Sequence, residues 1–144
     1  MKTSDWHWVR VVFLGAAVSW LGACSVTVSD STLAEDATSH WLYASDKKPK
    51  TVFSTEDEKV TLHVEFDYNL VANTQIFRAN WIQPDGTPYV SGGVKTAWGS
   101  NQNLIVSMKI AGTTAAAKPG TWRVQLFLGD RQLVERSFEL RKPG

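Results

Sequence analysis

Cys24 is the only cysteine among the 144 residues, and its thiol is the strongest nucleophile the chain offers. It closes the run Leu21-Gly22-Ala23-Cys24, in which two small residues leave the backbone open to an enzyme's groove. Other chemistry is thinly supplied. His63, Glu65 and Asp67 recur at every second position and would share one strand face. A zinc site wants three or four ligands, and a solvated strand face accounts for these residues better, so no metal or other cofactor is expected. Serines are plentiful, yet none sits in a G-x-S-x-G elbow, and Gly92-Gly93 lacks the lysine-serine ending of a phosphate-binding loop. Paired carboxylates for glycoside chemistry meet only in space, and a domain this small rarely frames such a cleft. No catalytic residue is therefore expected.

Two groups suit binding. Trp98 stands among Ser100, Asn101, Gln102 and Asn103, a ring beside several amides, which suits stacking on a sugar and bonding its hydroxyls. Alternatively the ring folds back as a lid on the core. Ile105 and Phe127 occupy the outward phase of their strands. If they adjoin, they make an apolar patch for a protein partner or a dimer.

The elements that would position these residues are strands. Val60, Leu62, Val64, Phe66 and Tyr68 alternate with Thr61, His63, Glu65 and Asp67, the period of a half-buried strand. Phe77, Ala79 and Trp81 alternate in the same way, and Pro84-Asp85-Gly86 turns the chain. Pro88, Tyr89 and Val90 return as a short edge strand, because proline cannot donate to a ladder. Residues 91–103 and 112–120 read as loops. Between them Leu104, Val106, Met108 and Ile110 alternate. Trp122, Val124, Leu126 and Leu128 then lead through the turn Gly129-Asp130 to Val134, Phe138 and Leu140, with a bulge expected near Arg136. No helical period competes. Six or seven strands predict an all-β antiparallel sandwich, with a small barrel as the other architecture and Trp81 and Trp122 as its aromatic centres.

Composition sets outer limits. Hydrophobic residues make up 43% and charged residues 20%, which fits one globular domain. Without the first 23 residues, which hold Lys2, Arg10 and Asp5, the 15 basic and 14 acidic residues fall to 13 of each. A neutral chain with no basic block lacks what displaces counterions from a nucleic acid, so none is expected as a partner.

The N-terminus resembles that of a bacterial lipoprotein. Residues 11–23 carry no charge and are too few to span a bilayer, which takes about 20 residues. They follow Lys2 and Arg10 as the apolar part of a secretory signal does. Leu21-Gly22-Ala23-Cys24 resembles the lipobox. The resemblance implies a diacylglycerol on the Cys24 sulfur and cleavage between Ala23 and Cys24. The alternative is ordinary signal cleavage, which a cut after Ser25 would satisfy. Because Ser25 rather than Asp follows the cysteine, the resemblance also implies delivery to the outer membrane of the cell envelope, lipid-anchored. Residues 24–42 are poor in apolar side chains and read as a polar tether, whose roughly 20 residues would span about 25 Å. The alternative is that Val26 and Val28 begin an edge strand.

Residues 43–144 form the domain. Asp46-Lys47-Lys48-Pro49 before Val52-Phe53-Ser54, Arg78-Ala79-Asn80-Trp81 before Pro84-Asp85-Gly86, Lys118-Pro119-Gly120-Thr121-Trp122, and Ser137-Phe138-Glu139-Leu140 resemble an immunoglobulin-like module of bacterial secreted proteins. That resemblance implies a non-catalytic module that binds, spaces or presents. Membrane anchoring through Cys24 together with a protein partner in the envelope is the first expectation. Binding to peptidoglycan or surface polysaccharide is the alternative.

Overall fold

The computed structural model describes residues 26–35, 48–66, 75–96 and 103–144, with Gln75 and residues 91–96 described by their backbone. Eight strands are present among them: β1 (Val28–Ala34), β2 (Val52–Ser54), β3 (Lys59–Phe66), β4 (Gln75–Ile82), β5 (Pro88–Thr96), β6 (Asn103–Lys109), β7 (Gly120–Leu128) and β8 (Arg131–Arg141). They form two sheets, ordered β1-β3-β6 and β2-β8-β7-β4-β5. All pairings are antiparallel except β2 with β8, which is parallel, so the wider sheet is mixed at that edge.

The period-two side chains meet between the sheets. Val60, Leu62, Val64, Phe66, Leu104, Val106 and Met108 of one sheet face Phe77, Ala79, Trp81, Trp122, Val124, Leu126, Phe138 and Leu140 of the other, all buried. Non-polar area removed from water at about 25 cal/mol per Å² is what holds the layers together. Phe138 centres the aromatic part: its ring stacks on Trp122 at 6.3 Å and meets Trp81 and Phe53 edge-on at 6.1 and 5.5 Å.

Turn chemistry joins β4 to β5. Gly86 has φ +86° in the β4–β5 turn, where Asp85 accepts from the Thr87 amide at 2.9 Å and from its hydroxyl at 2.6 Å. These bonds hold the Asp85 carboxyl below its ordinary pKa. Gly120, at φ +133°, opens β7 where a Cβ would lie 3.0 Å from Pro84 Cγ. The loop before it contains a 3-10 turn, Thr114–Ala117.

Four expectations are corrected. Within 24–42, the described part is not a tether: β1 pairs with β3, and Val26, Leu33 and Ala34 are buried. The stretch 91–103 is not all loop, because β5 continues to Thr96 opposite β4. Glycines weaken a strand, but Gly92 and Gly93 lie at a sheet edge, where little packing is lost. The bulge expected near Arg136 is absent there, since Arg136 stands in register with Val124. The register instead shifts between Leu126 and Phe127, making Leu133 the extra residue of β8. Finally, the face bearing His63 is not simply solvated, as His63 is 6% exposed and Thr61 is fully buried.

Candidate interaction face

The outward side chains of β4 and β7 build the surface with most binding character. Arg78 stands opposite Phe127 across the β4–β7 ladder, and its guanidinium lies 5.0 Å from the ring centroid. A cation over a ring at such a half-open site contributes about 0.5–1 kcal/mol. On the other flank Arg78 faces Gly93 of β5, which has no side chain to cover it. Ile76 lies on the same face two residues earlier and is 58% exposed, the most exposed large hydrophobic among the described residues. β7 ends at Leu128, opposite Phe77, so no strand residue of β7 stands beside Ile76. The sheet thus presents an aliphatic side chain, a cation and a half-buried ring within one diagonal step, about 7–8 Å.

Towards the middle of the sheet the same face becomes polar. Glu135 accepts from Gln125 at 2.6 Å and from Gln132 at 3.4 Å, and pairs with Arg123 at 3.7 Å. Farther along, Arg141 bonds Glu139 at 2.7 Å and lowers the pKa of that carboxyl. These exposed pairs set the polarity of the rim and contribute little to stability.

The residues singled out from the sequence scatter. Phe127 is on this face. Ile105 points outward from β6, in register with His63 of β3 in the three-stranded sheet, whereas Phe127 belongs to the five-stranded sheet, so the two lie on opposite sides of the sandwich and form no joint patch. Their common phase was legible; their sheet assignment was not. Asn103 opens β6 and is half-buried. Cys24, Ala23, Trp98 and Asn101 lie outside the described residues, as does Asp67. Among the described residues no three His, Cys, Asp or Glu side chains converge as a metal site. Ile76 and Arg78 were missed as a pair. The signal available was an isoleucine directly before Phe77, hence in the outward phase.

No protein-family model matches the chain, and no curated protein matches it. Solved structures do. An immunoglobulin-like protein of Pseudomonas aeruginosa matches with TM-score 0.55 and 16% identity, covering 81% of this chain and 97% of that one. The alkylpurine DNA glycosylase AlkC of Pseudomonas fluorescens, in a structure bound to DNA containing an abasic site analog, matches with TM-score 0.50 and 14% identity. That match covers 81% of this chain and 30% of the glycosylase. At such identities the likeness concerns the fold: the domain is an immunoglobulin-like β-sandwich.

Proposed function

We propose that this chain is a lipid-anchored protein of the bacterial cell envelope whose sandwich binds a protein partner through the face formed by Ile76, Arg78 and Phe127, without catalysing a reaction. The observation that carries the binding half is the 58% exposure of Ile76 beside a ring already capped by an arginine. Aromatic and arginine anchors ringed by polar contacts are the usual composition of a protein hot spot. The anchoring half rests on the resemblance of Leu21-Gly22-Ala23-Cys24 to a lipobox, and the outer membrane is the expected destination because Ser25 follows the cysteine.

The test is photo-cross-linking in living cells from position 76, with the chain at its native level. A discrete adduct containing one envelope protein is expected, and it should fade when Arg78 or Phe127 is changed to Ala. The same adduct from position 105, with none from 76, would contradict the choice of face. Adducts only with polysaccharide would contradict a protein partner.

A further inference from the structure

Resting on the anchoring reading above, we propose that the sandwich is seated directly on the bilayer by the end that carries the β7–β8 turn, with no spacer between lipid and domain. Val26 is 6% exposed, and its carbonyl accepts from the guanidinium of Arg131 at the start of β8. Two residues on, Val28 is in register with Phe66 of β3. Among the described residues the folded body therefore begins at Val26. Ser25 alone separates it from Cys24, a reach of about 7 Å even when fully extended. A polar tether of roughly 20 residues would have allowed about 25 Å.

The strand registers say which end is held. Phe66, Gln75, Thr96, Asn103, Leu128 and Arg131 all terminate strands at the end where β1 starts. The exposed turn Gly129-Asp130 lies at that end. β2, the β4–β5 turn and Arg141 lie at the opposite end. Eight residues of β3 separate the two ends by about 25 Å. Ile76 and Phe127 fall in the rows nearest the held end, within about 10 Å of it. A partner of that face would then dock within about 10 Å of the lipid headgroups, a position that favours a membrane-bound or membrane-embedded protein.

The whole chain, purified from membranes, is reconstituted in phosphatidylethanolamine–phosphatidylglycerol vesicles containing a headgroup spin-labelled lipid. A fluorophore is attached through Asp130→Cys or Lys142→Cys, both exposed positions. Quenching is expected to be several-fold stronger at position 130 than at 142. A Gly-Ser insert of roughly 20 residues after Ser25 should remove most of that difference. Equal quenching at the two positions without the insert would overturn the seated orientation. Flotation with the vesicles reports the anchor separately. A chain that fails to float overturns the anchoring reading and this proposal together, whereas a floating chain with equal quenching overturns this proposal alone.

Discussion

Trp122 combines two interactions in one side chain. Its ring is fully buried between Phe138 and Tyr89, and its indole Nε1 donates to the Lys118 carbonyl at 2.8 Å, tying the loop before β7 to the core. Trp122→Phe keeps an aromatic ring but leaves that carbonyl without its donor and opens space beside it. A loss of about 1–3 kcal/mol is expected from urea unfolding. Ser31 presents the reverse case. Its hydroxyl is buried in an inward slot of β1 with no hydrogen-bond partner among the described residues, while its carbonyl accepts from Arg136 Nε at 3.2 Å. Ser31→Ala removes an unsatisfied polar atom and keeps the backbone bond, so it should be neutral or stabilise by up to about 1 kcal/mol. Asp85 supplies a pH signature. Its folded pKa lies below the ordinary 3.8, so its contribution is present above that value and is lost as pH falls through the lowered folded pKa. The stability difference between the wild type and Asp85→Asn should be constant near neutrality and shrink in acid below about pH 3.8.

Among the elements, β1 departs most from what the sequence suggests, and the reason is physical. Val26 and Val28 are in one phase, but the register shifts between Val28 and Asp30, after which Ser31 and Leu33 face inward. One extra residue breaks the period of two, and a serine fills an inward slot, so the hydrophobic pattern dissolves. Lys50 then secures the far end of β1. Its amide donates to the Leu33 carbonyl at 2.9 Å and its ammonium pairs with Glu35 at 2.6 Å. Leu33→Ala should cost about 2–4 kcal/mol in thermal or urea unfolding, whereas a residue in a flexible tether would cost nothing. β3, β4, β6 and β7 were legible because each carries an unbroken alternation of apolar residues on its inner face, and β8 was legible from Val134 onward, past the extra residue Leu133. β5 was legible only to Val90, since glycines in a row read as a turn until an ordered neighbour strand gives them partners. Of the candidate face, the outward phase of Phe127 was readable. Its approach to Arg78 depends on long-range pairing between β4 and β7, which one strand's pattern does not carry.

At the scale of the molecule, a five-stranded sheet covers a three-stranded one among the described residues, and the overhang leaves side chains of the wider sheet open. Val90 shares the inner face with Trp81 yet is 47% exposed, as expected at an overhanging edge. An immunoglobulin-like domain so built has no cleft that its core requires, and its surfaces are strand edges, turns and outer faces. Function on such a scaffold depends on where the domain is held and what its faces meet. In the proposed arrangement, with the anchor on Cys24, the first described residue, Val26, is buried one residue after Ser25, and the apolar face lies towards the membrane. The measurement that tests this account most directly is the mass of the N-terminal peptide from the protein isolated from bacterial membranes. The account predicts a peptide that begins at Cys24 and carries a diacylglyceryl group, with no such species in Cys24→Ala. An unmodified Cys24 within a longer peptide, or cleavage after Ser25, would contradict it.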